Sequence, residues 1–114
     1  MLREVLLGKI HKATVTQADV AYIGSITIDA DLIEKSGLWP GQKVLVVSNT
    51  SGARLETYIL EGERNTGIIG INGAAAHLIK TGEEVIIIGF GFSETPVQPK
   101  CILVNDQNKF MEYL

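Results

Sequence analysis

Gly24 and Ser25 stand side by side in the stretch Tyr22-Ile23-Gly24-Ser25-Ile26-Thr27-Ile28-Asp29, and together they could rearrange a peptide bond. Gly24 has no side chain, so its carbonyl is open to close approach. Ser25 places a hydroxyl one bond beyond that carbonyl. Attack by this oxygen would turn the amide into an ester, provided the fold strains the peptide. A Gly-Ser dipeptide alone is usually a turn. Other residue types widen the chemistry. The planar fork of Arg54 can grip a carboxylate with two hydrogen bonds and stays charged at any working pH, although a single arginine is ordinarily a solvated surface residue. Tyr58 lies four residues on, hence on the same face of a strand. Its phenol could return a proton to a carbanion as a general acid, although half-buried packing is the usual fate of tyrosine. Asn72-Gly73-Ala74-Ala75 would present free backbone N–H groups at a helix start, where a carboxylate is favoured; the plain alternative is a helix capped by Asn72. Lys9 and His11 fall on one face if their segment is extended.

The residues Lys9-Ile10-His11, Ala13-Thr14-Val15-Thr16, Asp19, Tyr22, Gly24-Ser25, Ile28-Asp29, Gly52-Ala53-Arg54, Thr57-Tyr58 and Asn72-Gly73-Ala74-Ala75-Ala76-His77 resemble the pyruvoyl-dependent aspartate 1-decarboxylase family, which makes β-alanine. The resemblance runs in order from Met1 to about Gly89 and is weak in the tail beyond. It implies self-cleavage between Gly24 and Ser25 into residues 1–24 (the β chain) and 25–114 (the α chain). Ser25 then becomes a covalent pyruvoyl group that forms a Schiff base with L-aspartate. Such a carbonyl supplies the electron sink that no standard side chain offers, and no glycine-rich phosphate cradle marks a pyridoxal phosphate site. The resemblance gives Arg54 and Lys9 to substrate binding, Tyr58 to proton donation, and Thr57 to polarising the Gly24 carbonyl as well as to substrate contact. It gives main-chain substrate contacts to Asn72, Gly73, Ala74 and Ala75, and supporting positions to His11 and Tyr22. It further implies a homotetramer with sites between subunits, and a place in pantothenate and coenzyme A synthesis. Three positions depart from the family pattern as we read it: Ile23, where relatives can carry an acidic residue, Ala21, where a histidine can occur, and Val47, where an aromatic can occur. These bear on the rate of self-cleavage and on the need for a maturation helper protein. None removes a reacting group.

The elements that must position these groups read as follows. Residues 1–15 are aliphatic and β-branched, an extended strand. Gln17-Ala18-Asp19 reads as a turn. Residues 21–28 read as a second strand with Gly24-Ser25 inside it, where a glycine often marks a bulge. Asp29 caps a short helix that Gly37 ends, and Leu38-Trp39-Pro40-Gly41 is a turn. Strands follow over 43–47, 53–60, 68–69, 84–90 and 102–104, with a short helix over 74–79. Residues 105–114 are expected to be loosely held. Thr57 should face away from Arg54 and Tyr58, so its expected role calls for a bulge or for subunit packing. A shift of 41 residues lays Gly41–Val47 on Gly82–Ile88, each after a short helical segment, and Ile28 on Ile69. Short, evenly spaced strands point to an all-β barrel, and the resemblance implies a six-stranded double-psi β-barrel with short helices.

The 114 residues suit one domain, with 46% apolar and 20% charged residues in ordinary globular balance. The net charge of -3 without basic clusters argues against nucleic acid as main partner. The lone Cys101 has no Cys or His neighbours for a disulfide or a metal site. No apolar run is long enough for a membrane helix, and the expected location is cytoplasmic. Two other function classes stay open at this point: a non-catalytic β-barrel binding a small acidic ligand, and a β-domain acting through protein contacts.

Overall fold

A computed structural model describes residues 1–114. Nine strands, one α-helix and one 3-10 helix form in the order β1 (Arg3–Thr14), β2 (Gln17–Asp19), β3 (Ser25–Asp29), α1 (Ala30–Ser36), β4 (Lys43–Ser48), β5 (Arg54–Gly62), β6 (Ile69–Asn72), the 3-10 helix (Gly73–His77), β7 (Glu84–Ser93), β8 (Lys100–Val104) and β9 (Phe110–Tyr113). The strands are hydrogen-bonded in the order β2-β6-β3-β5-β4-β7-β1-β8-β9. β1 runs on into β2, and this continuation closes the barrel onto β6. Thr16 N–H donates to the Ile69 carbonyl at 2.9 Å, and Gln17–Asp19 then pair in parallel with Gly70–Asn72. Six staves result, with β3·β5 and β2·β6 parallel and the remaining contacts antiparallel. This is the six-stranded double-psi arrangement expected, with β8 and β9 added outside it.

Alternation fills the inside. Val44 and Val46, Val85 and Ile87, Ile26 and Ile28, and Ile69 and Ile71 are all buried, joined by Ile10, Ile59 and Ile102. These β-branched side chains suit a pleated, closed surface. The 41-residue echo is a real internal two-fold. Two antiparallel pairs join residues 41 apart, Ile28 with Ile69 and Val46 with Ile87. Residues equivalent under a two-fold can face one another directly only on its axis, so the axis passes through both pairs.

Several expectations change. Residues 17–19 are a strand, because their backbone groups are what close the barrel. β3 starts at Ser25, not at residue 21, so the Gly24–Ser25 bond lies at the mouth of a strand. The short helix expected over 74–79 is a five-residue 3-10 helix, Gly73–His77, with Asn72 at its N-cap position. The tail is held. β9 pairs with β8, and the buried Asn108 side chain donates to the carbonyls of Thr14 and Gly67 while accepting from Thr14 N–H.

Helix α1 is short, and its ends are well made. Asp29 accepts from Asp31 N–H at 2.9 Å, and Gly37 takes φ 69° to turn the chain out. The Asp29 carboxylate is 1% exposed and also takes Asn65 N–H and Gly67 N–H, both at 2.9 Å.

Candidate functional site

Register places the reacting groups. β3 begins where the exposed segment of residues 20–24 enters the barrel, and Ser25 is its first residue. Ser25 pairs with Asn72 of β6 on one side. On the other, Ile26 pairs with Ile59 in parallel, which sets Ser25 next to Tyr58 of β5. Ser25 is 1% exposed. Its hydroxyl donates to the Ile23 carbonyl at 2.8 Å and accepts from Asn72 Nδ2 at 3.0 Å. The first bond turns the oxygen back toward the chain that precedes it, the direction in which the Gly24 carbonyl lies.

Asn72 stands at the N-cap position of the 3-10 helix, yet its side chain caps nothing there. It donates instead to Ser25 Oγ and to Thr27 Oγ1, the latter at 2.9 Å. An amide shared by two hydroxyls, almost wholly buried, fixes the serine rotamer, and these two bonds use both of its N–H donors. Thr27 is a contributor that the sequence reading passed over. Period-two alternation from Ser25 puts it on the same face, and that signal was available.

A depression of about 420 Å³ opens at this end of the barrel. Nine residues line it, among them Gly24, Thr57, Tyr58, Asn72, Ala74 and Ala75. Tyr58 is 38% exposed within it. Thr57 does face away from Tyr58, since it pairs with the inward Val44. Both nevertheless line the depression.

The cations are elsewhere. Arg54 opens β5 opposite Val47, four residues from Tyr58, which is roughly 13 Å along a strand. Lys9 pairs with Ile88, and β7 and β4 stand between its strand and β5. Neither lines the depression, and neither belongs to the four ion pairs of the chain, which use Lys35, Lys43 and Arg64. Both sit on the outer face of the four antiparallel strands β5-β4-β7-β1, around partly exposed Leu45, Val47, Ile86 and Ile88.

His11 lies on β1 beside Leu103 of β8. A bulge follows it, in which Lys12 takes φ 64°. Its Nδ1 is buried without a partner. Burial, then the charges of Lys9 and Lys12, hold its pKa below the ordinary histidine value, against an opposing pull from Glu84. The imidazole is therefore neutral at neutral pH. Tyr22 is half exposed, with its carbonyl near Gly73.

A strand-mouth serine gripped by a buried amide, beside a tyrosine, can now be set against known proteins. The family described as "Aspartate decarboxylase" matches residues 1–111, well beyond Gly89, so the tail also carries family signal. The chain is 48% identical to the Aspartate 1-decarboxylase of Bacillus subtilis (strain 168), covering all of this chain and 93% of that protein. It is 51% identical to that of Clostridium botulinum (strain Alaska E43 / Type E3), covering 98% and 94%. It is 53% identical to Aspartate 1-decarboxylase 1 of Frankia casuarinae, covering 96% and 73%. Among solved structures, a rationally designed protein, mkDPBB_sym1, matches 75% of the chain at 18% identity with a TM-score of 0.48. On the full-length match and these identities, the chain belongs to the aspartate decarboxylase family.

Proposed function

We propose that this protein cuts its own chain between Gly24 and Ser25 and then converts L-aspartate to β-alanine and carbon dioxide. The observation that carries the reading is the buried Ser25 hydroxyl, held between the Ile23 carbonyl and Asn72 at the mouth of a strand. Attack of Ser25 Oγ on the Gly24 carbonyl moves the acyl group from nitrogen to oxygen. Loss of the Ser25 α-proton then expels Gly24 as a carboxylate and leaves dehydroalanine. Water replaces its nitrogen, ammonia departs, and a pyruvoyl group remains. In this reading Thr57, on the wall of the same depression, steadies the charge on the Gly24 oxygen, while Asn72 holds the attacking hydroxyl.

The site suits such a group: residue 25 is buried, carries a neighbouring amide donor, and adjoins a phenol. Its ketone supplies an electron sink for the bond that breaks. The chain's own residues do the rest. Asn72, Ala74 and Ala75 wall the space in which a substrate would lie; Gly73 does not line it and faces the backbone of Gly24. The five-residue 3-10 turn offers fewer aligned donors than an α-helix would. Tyr58 holds the proton that the product carbon needs. Arg54 and Lys9 match the two carboxylates of aspartate in charge, and their distance from Ser25 within one chain supports sites completed by a second copy, as in a homotetramer. Departures at Ala21, Ile23 and Val47 leave a maturation helper protein as part of the same proposal.

Intact mass under denaturing conditions, followed over time, tests the reading together with β-alanine release from L-aspartate. Two fragments split at Gly24, the second bearing a ketone in place of its amine, are expected, and Ser25→Ala should remain whole. A chain that never cuts yet binds aspartate would instead be the non-catalytic barrel.

A further inference from the structure

The dipeptide singles out Gly24 as the glycine that close approach requires, yet a Cβ added at Gly24 would meet no atom within 4 Å. The crowded glycine is Gly73. A Cβ on it would stand 2.6 Å from Gly24 Cα, 2.9 Å from Gly24 N and 3.3 Å from the Tyr22 carbonyl oxygen. All three are backbone atoms, so relief needs movement of the main chain and not a side-chain rotation. All three also belong to the segment directly ahead of Ser25.

Three hydrogen bonds hold that segment besides, one of them from the Ser25 hydroxyl to the Ile23 carbonyl at 2.8 Å. Tyr22 N–H reaches the Asp19 carbonyl at 3.3 Å, and Ala21 N–H takes Asp19 Oδ1 at 2.9 Å. Ile23 is 68% exposed. Ser25, by contrast, is fixed by β3 and by Asn72. One half of the bond is thus anchored by a sheet, and the other, tied to it through the Ile23 carbonyl, packs on the bare face of Gly73.

We propose that Gly73 is a positioning residue for self-cleavage. By lacking a side chain it lets the Gly24 backbone seat against the end of β6, which sets the Gly24 carbonyl relative to an already anchored Ser25 oxygen. This rests on the self-cleavage reading above, and it differs from the substrate contact expected for Gly73.

The test compares Gly73→Asn with Gly82→Asn. Asparagine tolerates positive φ better than other side chains do. Both glycines have positive φ, 75° and 91°, but a Cβ at Gly82 would meet nothing within 4 Å. The pair therefore separates the cost of the backbone conformation from that of the contact. Cutting is followed by intact mass, and hydroxylamine is added to a parallel sample to trap the ester. Gly73→Asn should slow ester formation and cutting by roughly tenfold or more, equivalent to about 1.4 kcal/mol of barrier. Gly82→Asn should cut within about threefold of the unaltered chain, with both variants melting within a few degrees of each other. Equal cutting by Gly73→Asn and the unaltered chain would overturn the proposal. A second measurement covers a Gly73 variant that does not fold. In the uncut Ser25→Ala protein, a proton NOE between Gly73 Hα and Gly24 Hα should be present, and its absence would also overturn the proposal. If the unaltered chain never cuts, the functional reading fails, whereas the NOE still reports on the contact.

Discussion

At the residue scale, the site divides its labour between two neighbours on β5. Tyr58 stands next to Ser25, while Thr57 faces the inside of the mouth. Tyr58→Phe keeps the ring and removes the phenolic hydroxyl beside residue 25. Self-cleavage should proceed, and kcat for β-alanine formation should fall by about 10²- to 10⁴-fold, the range of a general acid. Single-turnover assays on fully cut protein check this, and an undiminished kcat would place the proton elsewhere. Ser25, Arg54 and Tyr58 could be named from the sequence because their chemistry is carried by side-chain type. The link from Asn72 to Ser25 could not, because it depends on a register between strands 47 residues apart. The glycine contact was hidden for the same reason, whereas Thr27 was within reach, since period-two alternation from Ser25 puts it on the same face.

At the scale of elements, Asp29 ties three pieces together: the end of β3, the first turn of α1 and the loop of residues 63–67. Burial alone would raise its pKa. The amides of Gly67, Asn65 and Asp31, with a smaller pull from Lys109, outweigh burial and hold it below the ordinary carboxylate value. A depressed folded pKa contributes stability above the unfolded value, about 3.9. That stability is lost as pH falls through the folded value. Asp29→Asn should cost about 2 kcal/mol at pH 7, a fall in Tm on the order of 10 °C, and the difference from the unaltered protein should shrink below about pH 4. Melting curves at pH 7 and pH 3 check both statements. The cap at Asp29 and the stop at Gly37 were legible because capping is local. The strand at 17–19 and the held tail were not. Gln17-Ala18-Asp19 has turn-like composition, and only the open edge of β6 makes it a strand. Asn108 looks like a loop residue until its partners, Thr14 and Gly67, are seen.

At the scale of the molecule, the outer face of β5-β4-β7-β1 carries Leu45, Val47, Ile86 and Ile88 in partial exposure, with Phe90 and Phe92 beyond them at 39% and 70%. Apolar area of this kind, flanked by Arg54 and Lys9, fits contact with another copy. Ile86→Glu should lower the oligomer mass in sedimentation, with catalysis lost in proportion and each subunit still folded by circular dichroism. An unchanged mass would remove this face from the assembly. A different consequence follows from how β1 is threaded. It lies between β7 and β8, with β2 against β6, so every ladder partner of residues 1–24 belongs to residues 25–114. A cut at Gly24 would not release the first piece, but it would make the barrel a complex of two molecules. Folding, once a first-order event, would become second-order on any return from the unfolded state. A mature molecule would then be a record of having folded as one chain, and its melting point would depend on how concentrated it is.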